Sequence, residues 1–190
     1  MRYLHAERFL SPDICVNVVQ AHCHADWRAS SIGTRGNIEE FSDADVRRCK
    51  VTVCNATGIP DQIAERARRI APESVRDRLH FAQADMACVA SYSCGDFFGW
   101  HVDRGQGDVA ARMRWLSFSV QLSEASSYSG GELEFHSLIE PNERRYLRQR
   151  GNVIFFPADT PHRVTPVEKG VRFAIVGWLH LATDTWKSSG

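Results

Sequence analysis

The feature that most constrains the fold is a series of short apolar runs that begins at Ala84 and continues almost to the end of the chain. The runs are rich in Val, Phe, Trp and Leu, and clusters of Gly, Pro, Ser and Asp separate them. In order, they read ACVASYS, RWLSFSVQLS, GELEFHS, GNVIFFP and VRFAIVGWLHL. Strands at this spacing are typical of an all-β sandwich or barrel. The sequence therefore predicts a β core over residues 84–182.

Helical signals dominate the residues before this core. Ser11 can cap a helix, Pro12 suits the first helical position, and Asp13 suits the positive end of the helix dipole. The stretch PDQIAERARRIAPESVRDRLHF also predicts a helix, interrupted at Pro72, whereas RRCKVTVCN alternates like a strand. We therefore expect residues 1–83 to support the β core, and the 190 residues to form a single domain.

The overall charge gives no sign of a nucleic-acid or membrane partner. Lys plus Arg and Asp plus Glu both count 23, so no net charge would attract nucleic acid or an anionic membrane. No apolar run approaches the length of a membrane span, and the start MRYLHAERFL lacks the apolar segment of a secretory signal. We therefore expect a cytoplasmic protein with reduced cysteines, since none of the six forms a C-x-x-C pair. No pattern indicates an oligomeric state.

The stretch FFGWHVDRG contains a candidate pair of metal ligands, His101 and Asp103. On a strand, residues i and i+2 share a face, so both side chains could reach one metal ion. His162, framed by Pro157 and Pro161, is the candidate for a third ligand from another strand. Two histidines and one carboxylate leave positions open on an octahedral ion, as in mononuclear Fe(II) oxygenases.

A set of motifs extends this pattern. Ten residues after His162, Arg172 opens the apolar run RFAIVGW, and the chain also contains SYSGGELEF, FFPADTPHRVTPVEKGVRFAIVGW and an early FLSPD. With these motifs, the region from Ala84 to Leu181 resembles the Fe(II)- and 2-oxoglutarate-dependent oxygenases, and among them the prolyl 4-hydroxylase-like branch with its bacterial PKHD-type members. The resemblance implies an α+β, mainly β fold: a double-stranded β-helix, or jelly-roll, core with N-terminal helices packed on one sheet.

The resemblance also implies an iron site and a cosubstrate site. His101, Asp103 and His162 would bind Fe(II) and form the catalytic centre. Arg172 would pair with the distal carboxylate of 2-oxoglutarate, a role that suits its planar, permanently charged guanidinium. Tyr92 matches a tyrosine that hydrogen-bonds the cosubstrate in similar enzymes.

Further side chains are candidates for contacts with the cosubstrate or the substrate. Trp178 matches an aromatic residue beside the cosubstrate pocket. Three polar side chains share one face of the predicted strand LSFSVQLS and could reach the cosubstrate: Ser117, Ser119 and Gln121. Some relatives carry a tyrosine near the position of Gln121. Trp100 and Arg104 flank the metal ligands and should face away from the iron, where they would frame the substrate entrance or cover the edge of the barrel.

The same resemblance implies a dioxygenase that would use Fe(II), 2-oxoglutarate and O2, with ascorbate as a candidate reductant. It would hydroxylate an unactivated C–H bond of a small molecule, such as free proline, or of a peptidyl side chain, and release succinate and CO2. Two alternatives stay open: a cupin-like enzyme that holds another metal in the same ligands, and a catalytically silent binding module. Arg172 argues against the first, because a cupin needs no such arginine, and the intact ligand set argues against the second.

Overall fold

The computed structural model describes residues 4–29, 46–81, 86–105, 109–136 and 144–181. Within these ranges the chain forms mostly β-strands, together with five α-helices and the 3-10 helix Ala125–Ser127. The α-helices are α1 (Pro12–Ala21), α2 (Ile59–Ile70), α3 (Glu73–Arg76), α4 (Val109–Met113) and α5 (Arg144–Arg148). The strands are β1 (Leu4–Ala6), β2 (Arg28–Ala29), β3 (Arg47–Arg48), β4 (Lys50–Val53), β5 (Leu79–His80), β6 (Cys88–Tyr92), β7 (Phe97–His101), β8 (Arg114–Gln121), β9 (Tyr128–Gly130), β10 (Leu133–Phe135), β11 (Val153–Pro157), β12 (His162–Val164), β13 (Val167–Gly170) and β14 (Arg172–Leu181).

The helices near the N-terminus follow the capping and proline signals of the sequence. The Ser11 hydroxyl accepts a hydrogen bond from the backbone N–H of Ile14 (3.3 Å) and so caps α1. Pro60 lies in the first turn of α2, and Pro72 separates α2 from α3, because proline cannot donate a helical hydrogen bond. None of the helices in the described ranges has the length and apolar character needed to cross a bilayer.

Three antiparallel sheets form the β core. The largest has eight strands in the order β1-β11-β8-β14-β6-β4-β2, with β5 also pairing with β14. The second has four strands in the order β10-β12-β7-β3, and β13 pairs with β9 in the third. The first half of the chain therefore contributes edge strands to both larger sheets, in addition to its helices.

Two hydrophobic clusters lie on opposite faces of the large sheet. Along β11, Phe155 belongs to a cluster with apolar residues of α1 and α2. Its neighbours Ile154 and Phe156 belong to a second cluster, which they share with residues of the four-stranded sheet. Because side chains alternate between the faces of a strand, α1 and α2 contact one face of the eight-stranded sheet and the four-stranded sheet contacts the other. The second cluster thus lies between two sheets, as the inside of a jelly roll does.

Two strand pairings bring distant parts of the chain together. β12 pairs with β7 so that His162 lies opposite His101. β14 pairs with β6 so that Arg172 lies opposite Tyr92. Asp103, however, is not on a strand, because β7 ends at His101 and Asp103 lies in the bend that follows. The expectation that His101 and Asp103 share a strand face was therefore wrong, and the turn of the chain after β7 brings their side chains together.

The glycine pair of SYSGGELEF shapes the connection between β9 and β10. Gly130 and Gly131 both have a positive φ, +67° and +60°. A Cβ atom on Gly131 would lie 2.9 Å from Cγ2 of Val167 and 3.2 Å from Cδ of Arg172. Both the backbone conformation and the space beside Arg172 therefore favour glycine at this position.

Candidate functional site

Three potential metal ligands from two neighbouring strands and one bend converge between the sheets. His101 ends β7, His162 begins β12, and Asp103 lies between them in space, with one ligand atom of each residue within 4.8 Å of the others. Nε2 of His101 is 3.6 Å from Oδ1 of Asp103, and Nε2 of His162 is 3.5 Å from Oδ2. In the described part of the chain, no other group of three His, Cys, Asp or Glu side chains clusters in this way.

Both histidines are oriented by their own backbone. Nδ1 of His101 donates a hydrogen bond to the carbonyl of Gly99 (2.8 Å), and Nδ1 of His162 donates one to the carbonyl of Thr160 (2.9 Å). A carbonyl oxygen can only accept, so in the neutral form of each ring Nδ1 carries the proton and Nε2 has the lone pair that can bind a metal. Such contacts behind a ligand fix the tautomer and the ring orientation of metal-binding histidines.

The carboxylate of Asp103 is held in its ionised form. Burial disfavours the charge, but His162, His101 and the Ser117 hydroxyl outweigh burial and hold the pKa of Asp103 well below its usual range. The Ser117 hydroxyl donates to Oδ2 of Asp103 at 2.6 Å, and Nη1 of Arg114 donates to the backbone carbonyl of Asp103 at 3.1 Å.

The donor set of this cluster fits Fe(II). Burial is the largest influence on His162 and lowers its pKa, although the charge of Asp103 acts in the opposite direction. His162 is therefore neutral near pH 7, as a metal ligand must be. Two imidazoles with Nε2 lone pairs and one ionised carboxylate match the two-histidine, one-carboxylate set of non-haem Fe(II) enzymes.

Aromatic rings pack against both histidines. The ring of Phe98 stacks on His101 with centroids 3.4 Å apart and an interplanar angle of 11°. Phe156 meets His162 edge-on at 4.7 Å, and Phe135 lies at 5.9 Å on the same imidazole. These contacts restrict the motion of the rings and exclude water from the sides of the cluster.

A cavity of about 50 Å³ connects the three ligands with Arg172. Arg172 is buried, only 3% exposed, and its guanidinium carbon lies 5.4 Å from the ring centroid of Tyr92. Among the described residues, no carboxylate forms an ion pair with Arg172, whereas a buried charge without a partner is costly. The cavity is therefore suited to an anion that reaches Arg172 from the direction of the metal ligands.

Of the predicted cosubstrate contacts, Tyr92, Ser119 and Trp178 line this cavity with Arg172, and Gln121 does not. The amide nitrogen of Gln121 donates to the Tyr128 hydroxyl (3.1 Å) and to the carbonyl of Ser123 (3.2 Å) instead. Ser117 contacts the metal-ligand candidate Asp103 and is not among the residues that line the cavity.

Trp100 and Arg104, which flank His101 and Asp103 in the sequence, do not line the cavity. Trp100 is 47% exposed, with the guanidinium of Arg163 over its ring at 4.8 Å. Arg104 donates from Nε to the carbonyl of Arg114 (2.8 Å) and forms an ion pair with Asp159 (3.7 Å). Arg104 also lines a surface groove of about 440 Å³, together with Trp115, His136, Pro157, Asp159, Thr160 and Pro161.

The sequence analysis missed one polar residue of the cavity, Arg47. Its side chain lines the cavity from β3, at the edge of the four-stranded sheet. The alternation of RRCKVTVCN contains a usable signal, because Arg47 and Cys49 face inward while Arg48 and Lys50 are exposed. The remaining walls are apolar and include Leu133, Phe156, Val164 and Val176.

The sequence matches a known family of enzymes. The family model of the 2OG-Fe(II) oxygenase superfamily matches residues 87–180. A PKHD-type hydroxylase from Hyphomonas neptunium is 31% identical over 185 residues, which cover 93% of this chain and 77% of that protein. A PKHD-type hydroxylase from Synechococcus sp. strain CC9902 is 41% identical over 91 residues, which cover 48% of this chain but only 39% of that protein.

A solved structure matches the fold over almost its full length. The crystal structure of a prolyl-4-hydroxylase from Pseudomonas putida aligns with a TM-score of 0.65 and 16% identity, over 95% of this chain and 93% of that chain. At this identity the likeness concerns the fold, and it confirms the predicted jelly-roll type. The sequence matches confirm the resemblance that the H-x-D, distal histidine and arginine pattern predicted.

Proposed function

The chain belongs to the 2OG-Fe(II) oxygenase superfamily and, within it, to the PKHD-type hydroxylases, and on this basis we propose that it hydroxylates an unactivated C–H bond of a small molecule or a peptidyl side chain. The family uses Fe(II), 2-oxoglutarate and O2. We further propose that residues 84–182 form the catalytic core of a single domain and that residues 1–83 support it.

One observation carries this proposal. The buried cation Arg172 shares a cavity with His101, Asp103 and His162 and has no carboxylate partner among the described residues. A metal-binding cupin has no need of such an arginine, whereas a dianionic cosubstrate that contacts both the metal and a distal cation does. The cavity thus favours an oxygenase over the cupin-like alternative.

In this proposal, His101, Asp103 and His162 hold Fe(II) through two Nε2 atoms and a carboxylate oxygen. Bound iron, with 2-oxoglutarate and O2, supplies the oxidising chemistry that hydroxylates the substrate and releases succinate and CO2. Three protein ligands leave coordination positions for the cosubstrate. The backbone carbonyls behind the histidines keep Nε2 aimed at the metal, and Ser117 keeps Asp103 from rotating away.

Other side chains of the cavity bind and orient the cosubstrate. Arg172 pairs with its distal carboxylate in a planar, charge-assisted contact. Tyr92 and Ser119 supply hydroxyl groups, and burial raises the pKa of Tyr92, so its phenol stays a proton donor. Trp178 covers the pocket, and the guanidinium of Arg114 lies 3.6 Å from the centre of its ring.

The substrate proposal rests on the surface beside the metal ligands. The groove that contains Arg104 begins one residue after Asp103 and ends at Pro161, one residue before His162. Trp100 lies near it, with its ring 6.0 Å from that of His136. An aromatic and cationic rim of this kind suits a peptide or an amino acid. The shared fold with the prolyl-4-hydroxylase of Pseudomonas putida leads us to propose a prolyl group or free proline.

The proposed function is tested by succinate release. The protein is incubated with Fe(II), 2-oxoglutarate, O2 and ascorbate, with proline-containing peptides or free proline, and the organic products are examined for the mass of one added oxygen atom. We expect Fe(II)-dependent succinate release that His162→Ala abolishes and that His80→Ala, a change at an exposed histidine, preserves. A folded protein that releases no succinate under any of these conditions would contradict the proposal and favour a silent binding module.

A further inference from the structure

A second arginine lines the cavity of the candidate site. Arg47 lines the same cavity as Tyr92, His101 and Asp103, although it lies more than fifty residues before His101 in the chain. Its neighbour Arg48 is exposed, so the short strand β3 turns one of two consecutive arginines toward the site. The chain therefore places two permanent cations, Arg47 and Arg172, around one small space.

Contacts with Phe98 and Cys49 help to hold the guanidinium of Arg47 in place. Its Cζ atom lies 4.3 Å from the ring centroid of Phe98, the residue that stacks on His101. Its Nε donates to Sγ of Cys49 at 3.3 Å. A cation fixed by an aromatic face and a hydrogen bond loses little further freedom when it binds a ligand.

The contact of Arg47 with Phe98 indicates where in the cavity its guanidinium lies, because Phe98 stacks on the metal-ligand candidate His101. Burial alone would lower the pKa of Arg47, but Tyr92, Cys49 and Asp103 together raise it. The charges of Arg47 and Arg172 both act to lower the pKa of Tyr92, against the larger effect of burial, which raises it. The guanidinium of Arg47 therefore lies beside a ring that packs on a metal-ligand candidate, and the influence of Tyr92 and Asp103 on its pKa is consistent with this position.

We propose that Arg47 binds the carboxylate next to the keto group of 2-oxoglutarate, while Arg172 binds the distal carboxylate. This inference rests on the proposed function. A dianionic 2-oxo acid has one charge at each end, and the cavity has one arginine for each. Carboxylates are the anions that a planar guanidinium recognises best.

The inference has a spectroscopic signature. Fe(II) bound to a 2-oxo acid shows a visible charge-transfer band, in which electron density moves from the metal to the keto group. A cation beside the keto acid stabilises the electron-rich state and moves this band to longer wavelength. Loss of Arg47 should therefore move the band to shorter wavelength, an effect that a merely structural arginine would not produce.

The experiment is an anaerobic titration of the Fe(II)-loaded protein with two 2-oxo acids, followed through this band. The first is 2-oxoglutarate, and the second is 2-oxopentanoate, which has the same carbon chain without the distal carboxylate. We expect Arg47→Gln to weaken the binding of both acids about tenfold to a hundredfold and to shift the band. Arg172→Gln should weaken 2-oxoglutarate alone.

Controls separate a binding role from damage to the site. Arg48→Gln removes the same type of side chain from the same strand on the exposed side, and should leave both dissociation constants within about twofold of the wild-type values. Arg47→Lys keeps a charge but loses the planar fork, and should weaken both acids less than Arg47→Gln does. The affinity for Fe(II) alone should not fall in Arg47→Gln, because a cation does not favour metal binding.

Three outcomes would overturn the inference: unchanged binding of both acids by Arg47→Gln, weakened binding of 2-oxoglutarate alone, or a parallel loss of Fe(II) affinity. If Arg47→Gln does not fold, Arg47→Lys decides, since weaker binding of both acids supports the inference and unchanged binding of both overturns it. If the wild-type protein forms no band at all, the proposed function fails and the inference with it. A band in the wild type that Arg47→Gln leaves unchanged defeats the inference alone.

Discussion

The hydroxyl of Ser117 lies 2.6 Å from Oδ2 of Asp103 and donates a hydrogen bond to it. Asp103 is the one candidate ligand outside a regular strand, so this bond from the middle of the large sheet holds the carboxylate against the two histidines. Removal of a contact of this kind behind a metal ligand typically costs about tenfold to a hundredfold in metal affinity.

We therefore expect Ser117→Ala to weaken Fe(II) binding by about tenfold or more, with little change in thermal stability. The dissociation constant for Fe(II) under anaerobic conditions measures the effect. Ser91→Ala, at a strand serine that does not line the cavity, serves as the control. Equal Fe(II) affinities in the two variants would show that Asp103 needs no support from Ser117.

A second prediction concerns the glycine pair beside Arg172. Gly131→Ala places a methyl group 3.2 Å from Cδ of Arg172 and forces alanine into a positive φ of +60°. We expect a loss of about 1 kcal/mol or more in unfolding free energy, together with weaker binding of 2-oxoglutarate because Arg172 must move.

Gly95→Ala is a matched control for this change. Gly95 also has a positive φ, +85°, but a Cβ atom there would meet nothing within 4 Å. It should lose stability without any change in 2-oxoglutarate affinity. If the two alanine variants bind 2-oxoglutarate equally well, the space beside Arg172 does not determine its position.

A third prediction concerns the stability of the protein at alkaline pH. Cys15 is fully buried in the cluster beneath the helices, and burial raises the pKa of its thiol to about 11. In the unfolded chain the thiol ionises near its ordinary pKa, so above that pH the unfolded state binds fewer protons than the folded state. The contribution of the Cys15 thiol to the free energy of unfolding is therefore complete at neutral pH and is lost as the pH rises toward 11.

We expect this effect to remove about 1 kcal/mol of unfolding free energy between pH 8 and pH 10. Urea denaturation at several pH values measures it. Cys15→Ala should lower stability at every pH but flatten its decline above pH 8, whereas Cys23→Ala, at an exposed cysteine, should leave the decline unchanged. An equally steep decline in Cys15→Ala would assign the alkaline effect to other groups.

Local patterns predicted much of this structure, because their signals are local in origin. Ser11 caps α1, Pro72 separates α2 from α3, and the apolar runs after residue 84 form strands. His101 and Asp103 are two residues apart, His162 and Arg172 are ten residues apart, and both pairs lie in the region that the family model matches. Their meeting in space follows from antiparallel pairing of β7 with β12 and of β6 with β14.

What the sequence could not predict depends on contacts between distant segments. Arg47 reaches the cavity because β3 pairs with β7. A strand of two residues has too short a sequence pattern to predict that pairing. Gln121 shares a strand with Ser119, but its amide nitrogen donates a hydrogen bond to the hydroxyl of Tyr128, which follows the 3-10 helix. Asp103 reaches the histidines through a bend, where strand alternation does not apply.

The measurement that tests the central claim most directly is an anaerobic titration of the metal-free protein with Fe(II) in the presence of 2-oxoglutarate. We predict the visible charge-transfer band in the wild-type protein, its loss in His162→Ala, and about tenfold to hundredfold weaker 2-oxoglutarate binding in Arg172→Gln. A wild-type protein that remains folded and forms no band would contradict the account, because the three ligands and Arg172 would then not hold iron and cosubstrate together.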